Sequence, residues 1–125
     1  MNTTPEQNLA TAIAYLRGFE KKDPEEIARH LHPEVRYSAP NMRLNGKAAV
    51  VEAAKRFSAG MKRFPVHSTF AAREQVMVAY DIEGPEPIGV QPAAQLMTFR
   101  DGLIAEVHAY FDPRPFAAMF AAARR

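Results

Sequence analysis

The stretch FRDGLIAEVHAYFDPRPF, Phe99–Phe116, decides the fold. It reads as a strand, an Asp101-Gly102 turn, a second strand and a proline-broken exit. Asp-Gly accepts the positive backbone φ angles of a two-residue hairpin turn, whose twist matches that of the strands it joins. AAQLMTF (93–99) and LIAEVHAYF are therefore the arms of an antiparallel pair. Just upstream, VHSTFAA and QVMVAYDIE flank a short Arg73-Glu74 turn, and GPEPIGVQP is a loop with three prolines and two glycines. The second half of the chain is all strand.

The first half starts differently. In TTPEQNLATAIAYLRGFEKK, Thr4 is placed to cap a helix, Pro5 suits its first position and Gln7 completes a capping box. Leu9, Ile13, Leu16 and Ala12 share one face, and Lys21 and Lys22 suit the negative C-terminal end. DPEEIARHL repeats the pattern, with Asp23 as cap, Pro24 at the first turn and Glu26 as box partner; it stops before His32-Pro33. EVRYSAP is a strand, and NMRLNGK is a turn-rich excursion around Asn45-Gly46. GKAAVVEAAKRFSAGMKRF is a third helix, in which Val50, Ala53, Ala54 and Phe57 recur at helical spacing, and Phe57, Met61 and Phe64 form a core stripe. The tail, RPFAAMFAAARR, suits a short helix or packed arm. Helices come first and an antiparallel sheet follows, an α+β domain.

The strands carry a second message. Val76, Val78, Tyr80 and Ile82 point one way, and Met77 and Ala79 the other, so both faces of the sheet are apolar. A sheet with one wet face should alternate with polar residues. Helices cover one face; a second copy of the chain is the economical cover for the other, giving a homodimer through the outer sheet face.

Composition sets the bounds. The 125 residues make one domain, 1–125, with no room for two cores. Sixteen basic against fourteen acidic residues leave a net charge of +2, scattered except for Arg124-Arg125, so no nucleic-acid partner is expected. There is no cysteine. No apolar run approaches the roughly 18 residues of a membrane helix, and MNTTPEQN lacks the pattern of a signal peptide. A soluble, cytoplasmic protein is expected. His30 and His32 are two apart, wrong for one helical face, and His67 and His108 lie on separate strands, so neither metal nor cofactor is expected.

The helix pair ending FEKKDPEEIARHLHPEVRYSAP, the helix start NGKAAVVEAA and the hairpin FRDGLIAEVHAYFDPRPF together resemble the SnoaL-like branch of the nuclear-transport-factor-2-like superfamily, from about Leu9 to Phe116. Its relatives include ketosteroid isomerase and limonene-epoxide hydrolase. The resemblance implies a cone-shaped α+β barrel, with three N-terminal helices packed in a strongly curved, mixed, mostly antiparallel sheet, a pocket inside and usually a dimer across the outer face. Of the isomerase site, the resemblance places the tyrosine on Tyr15, the carboxylate base on Ala39 and the late aspartate on Gln95. Of the hydrolase site, it places the tyrosine on Tyr37, the asparagine on Ala39, the arginine near Gln75 and the two aspartates on Met77 and Ala109. The ligand pocket implied is Tyr15, Tyr37, Ala39, Met77, Gln95, Met97 and Ala109, apolar where both enzyme types are charged.

Two readings follow. One is a binding domain for a small, neutral, hydrophobic molecule, since a methyl group accepts no proton and an unpaired buried charge costs several kcal/mol. The other is an isomerase, hydrolase or polyketide-cyclase-like enzyme using Tyr15, Tyr37 and Gln95, with His108 or Asp112 as acid–base group. If Ala109 faces the cone, alternation turns His108 outward; Asp112, before Pro113, suits a rim or a strand-end turn. A third reading is a protein-interaction module using the outer face.

Overall fold

The computed structural model describes residues 3–119, and the end of the alanine-rich tail lies outside them. Three helices, α1 (Pro5–Glu20), α2 (Pro24–Arg29) and α3 (Lys47–Ala59), pack into one curved sheet of six strands. The strands are β1 (Leu31–Ala39), β2 (Met42–Asn45), β3 (Val66–Ala72), β4 (Gln75–Glu83), β5 (Val90–Arg100) and β6 (Leu103–Phe111). Their spatial order is β2-β1-β6-β5-β4-β3, with only the β1–β6 pair parallel. The result is the expected mixed, mostly antiparallel α+β cone. No described helix is long and apolar enough to cross a membrane.

Local chemistry sets these elements. Thr4 and Gln7 form the complete reciprocal box: the Gln7 amide donates to the Thr4 hydroxyl at 3.1 Å, and the Thr4 amide to Gln7 Oε1 at 2.9 Å. Asp23 caps α2 by accepting from the amides of Glu25 and Glu26. The Glu26 side chain does not complete a box; it turns to His30 and Arg29. At the β5–β6 hairpin, Asp101 and Gly102 both take positive φ, 55° and 78°.

Three boundaries differ from expectation. The β1 strand follows α2 directly and takes in His32-Pro33. Pro33 is tolerated because it lies in the irregular stretch between Leu31 and Arg36, before pairing with β2 begins. The β5 strand starts three residues early, at Val90. Helix α3 stops at Ala59, and Gly60 forms its C-cap, so Met61 and Phe64 are not on its face. Both are still core: the Phe64 ring packs edge-on against Phe19 at 5.6 Å and tilted against Phe57 at 6.2 Å. Lys22 reaches across to α3 rather than serving its own helix. Its Nζ donates to the carbonyls of Ser58 and Met61, both at 2.6 Å.

The core-facing side of α1 is rotated from the expected one. Asn8, Ala12, Tyr15, Leu16 and Phe19 are buried, while Leu9 and Ile13 flank them half-buried. The cause is tertiary: Asn8 accepts from the Thr3 hydroxyl and donates to the Arg73 carbonyl, fixing the helix on the β3–β4 turn. Gly18 lets α1 and α2 meet. A Cβ there would sit 2.9 Å from Ile27 Cγ1 and 3.2 Å from the Ile27 backbone nitrogen. Gly18→Ala is therefore expected to destabilise by about 1–3 kcal/mol, overriding the gain in helix propensity. Urea unfolding checks this, and an unchanged or raised midpoint would show that the helices separate freely.

Candidate functional site

Alternation along the central strands sets the inside of the cone. Val76, Val78, Tyr80 and Ile82 of β4 are buried. Across the ladder, Val76, Met97 and Val107 form one inward row, and Val78, Gln95 and Ala109 the next. Helices α1 and α3 close over these rows and leave a cavity of about 340 Å³. That volume is at the small end for ligand sites. Leu16, Phe19, Leu44, Val50, Ile82 and Phe111 give it apolar walls. The β1–β2 turn contributes Asn41, and Arg56 reaches it from a largely exposed position, ion-paired to Glu52 at 3.3 Å.

The polar groups gather around three tyrosines. Tyr15 comes from α1, Tyr37 from β1 and Tyr80 from β4. Gln95 of β5 donates from Nε2 to the Tyr80 hydroxyl at 2.9 Å. Tyr15 is 0% and Gln95 4% exposed. The Tyr15 hydroxyl, Gln95 Oε1 and Asn41 Oδ1 are buried and have no hydrogen-bond partner among the described residues. Burial pushes all three phenols above their ordinary range, Tyr37 to about 12. For Tyr15, the nearby hydroxyls of Tyr37 and Tyr80 add to that effect. These are neutral hydroxyls at any physiological pH.

Of the residues assigned to the pocket from sequence, Tyr15, Tyr37 and Gln95 line this cavity. Met97 and Ala109 are buried in the adjoining inward rows but do not form its wall. Ala39 is half-buried at the end of β1, paired with Met42, and also stands off the wall. Met77 is misplaced. It pairs with Leu96 and Phe70 on the outer face, because side chains alternate and Val76 and Val78 point inward. The alternation and the motif match disagree at this residue, and the alternation prevails.

The two acid–base candidates also leave the site. Val107 and Ala109 are buried and Tyr110 is exposed, so His108 shares the outer face, opposite Leu96 and Ser38. Asp112 is held by Arg114, Oδ2 to Nη2 at 2.7 Å, and these bonds lower its carboxyl to about 2. A carboxylate that weakly basic, tied to a guanidinium, is a poor proton acceptor.

Sequence reasoning missed Tyr80 and Asn41. Tyr80 had a usable signal, since the alternation that put Val78 inside put it inside too. Asn41 had none, because its position depends on how the β1–β2 turn folds over the cavity.

The SnoaL-like domain model matches residues 12–107. The chain belongs to the SnoaL-like family. This SnoaL-like chain is similar to a protein from Kribbella flavida DSM 17836, at 30% identity over 93% of this chain and 95% of that one, with a TM-score of 0.82. It is similar in fold to a putative ketosteroid isomerase of the same organism, 22% identical over 86% of this chain and 79% of the other, with a TM-score of 0.74. TerC co-crystallised with polyporic acid is 20% identical over 92% of this chain and 98% of its own, with a TM-score of 0.77. A comparison with curated proteins finds no match. A nuclear-transport-factor-2-like protein from Cytophaga hutchinsonii ATCC 33406 shares the fold, 21% identical over 94% of this chain and 99% of that one, with a TM-score of 0.78. Among the described residues, no aspartate, glutamate or histidine lines the SnoaL-like cavity.

Proposed function

We propose that this chain is a soluble, cytoplasmic binding domain that holds a small, neutral, largely apolar molecule in its cone, working as a homodimer paired through the outer sheet face. The neutral wall carries this reading: hydrocarbon on most sides, three phenols kept protonated by burial, two amides, and one cation whose charge is met by Glu52 near the surface. A ligand carrying net charge would lose its hydration there without gaining a full partner, at a cost of several kcal/mol. TerC, similar in fold, was co-crystallised with a small organic molecule, which supports a binding role for such a cone. An isomerase, hydrolase or cyclase reading has less support, since catalysis here would rest on tyrosine hydroxyls without a base beside them.

The outer face supports the dimer. Phe70 is 68% and Tyr110 52% exposed, and Met77, Leu96, Ala79 and Ala94 join them across four strands. Exposed aromatic and aliphatic side chains gathered on one sheet face are characteristic of an interface. A stable dimer needs about 800 Å² from each partner. The central part of a sheet is the natural source of such an area.

Native mass spectrometry of the full chain tests both parts. The expected result is a species near twice 13.9 kDa, reduced to the single mass by Leu96→Asp. Denaturation is expected to release a neutral organic molecule, or an empty dimer to take up a neutral fluorescent apolar probe. A monomer overturns the dimer. A protein that releases nothing and takes up no such probe overturns the binding reading.

A further inference from the structure

The cavity leaves hydrogen-bonding capacity unused in a definite pattern. Gln95 spends one end of its amide on Tyr80, which fixes the other end, Oε1, without a protein partner. Asn41 likewise leaves its Oδ1 unpaired, and Tyr15 its hydroxyl. Two of these three groups are carbonyl oxygens, which only accept. The third both donates and accepts. A purely apolar occupant would strand all three, and a buried polar group left without a partner is costly. A carbonyl-bearing occupant would serve the Tyr15 proton but leave both carbonyl oxygens, Gln95 Oε1 and Asn41 Oδ1, without a donor.

From this we infer that the ligand is a hydroxyl-bearing molecule, a neutral alcohol or phenol on an apolar ring framework, whose O–H donates to Gln95 Oε1 and whose oxygen accepts from Tyr15. This rests on the proposed binding role and narrows it to one functional group. Asn41, at the β1–β2 turn, offers a further acceptor to a second donor on the same molecule. The hydroxyl binds un-ionised, because the groups that meet it are neutral and an anion would face the Gln95 carbonyl oxygen.

Four naphthalenes substituted at the same ring position separate the terms: naphthol, methylnaphthalene, methoxynaphthalene and naphthoate. The protein contains no tryptophan, so their fluorescence is read directly. Naphthol is expected to bind about tenfold or more tighter than methylnaphthalene, the ratio for one buried hydrogen-bond pair. Methoxynaphthalene, which accepts but does not donate, is expected to stay near methylnaphthalene, and naphthoate to bind weakest. Tyr15→Phe and Gln95→Leu are each expected to shrink the naphthol advantage, with methylnaphthalene binding somewhat tighter because the group it strands is gone. Tyr15→Phe keeps the test sound if the other variant folds poorly. Equal affinity for naphthol and methylnaphthalene overturns the hydroxyl assignment while leaving the apolar pocket standing. Methoxynaphthalene binding as well as naphthol overturns the donation to Gln95. Failure of all four to bind overturns the binding role itself.

Discussion

Between pH 10 and 12 the protein is expected to lose stability at about 4 kcal/mol per pH unit, and to unfold before Tyr15 and Tyr80 ionise. An unfolded tyrosine titrates near pH 10. In the fold, burial raises Tyr15, Tyr37 and Tyr80, Tyr37 to about 12. The sign follows from proton counting. Below pH 10 both states hold all three protons, and stability does not depend on these groups. Between 10 and the folded values the unfolded chain has released protons that the fold still holds, so rising pH favours unfolding. Each group contributes about 1.4 kcal/mol per pH unit, and three together give the slope. By pH 12, where Tyr37 itself begins to ionise, the loss is about 8 kcal/mol, a large part of a total stability of about 5–15 kcal/mol. Near-ultraviolet phenolate absorbance and far-ultraviolet circular dichroism, followed together in a Tyr110→Phe background, check it. The two signals should rise and fall as one. Phenolate appearing while helix and sheet persist would mean that the intact cone tolerates the ionised phenols, and burial would not be what holds them protonated.

That cluster shows where sequence reading succeeds and where it stops. Asp101-Gly102 announces its hairpin because few residue pairs accept two positive φ angles, and Thr4 to Gln7 announces a helix start because the box is closed within one turn. Such signals are local, and they were legible. So was the inward set Val76, Val78, Tyr80 and Ile82, because a strand has only two faces. A helix has no such binary choice. The buried face of α1 follows Tyr15 and Phe19 rather than Leu9 and Ile13, since Asn8 and the β3–β4 turn settle its rotation. The same limit governs the site. That Gln95 points inward is a matter of strand parity. That its Nε2 is spent on Tyr80 and its Oε1 is not depends on a contact between β4 and β5, and no spacing in the sequence encodes it. Met77 shows the opposite error, a motif correspondence accepted against a parity that already excluded it.

Gln95→Glu is the substitution expected to expose the neutrality of the cavity most sharply. It exchanges an amide for a carboxyl of the same shape, so packing is kept and only charge is tested. The new group would sit where the side chain is 4% exposed, against phenols and hydrocarbon, in a cavity whose one lining cation, Arg56, is paired to Glu52. Desolvation of that kind raises a carboxyl by about 3 units or more from its ordinary value near 4.3. The Tyr80 hydroxyl can turn and donate to the ionised form, which offsets part of the penalty. The folded value is raised, so the neutral carboxyl is the form the fold tolerates. At pH 4 both states are largely protonated, and the variant should unfold near the wild-type urea midpoint. As pH rises, the unfolded chain ionises first and stability falls by about 1.4 kcal/mol per unit, reaching a deficit of about 4 kcal/mol by pH 8. Urea midpoints of variant and wild type compared at both pH values give the result. A deficit that is the same at pH 4 and pH 8 would mean that the carboxylate finds solvent or a cation, and with it the argument for an uncharged ligand would go. A deficit that opens only with rising pH would show that the floor of this cone rejects charge from the protein itself, as it is expected to reject charge on whatever it binds.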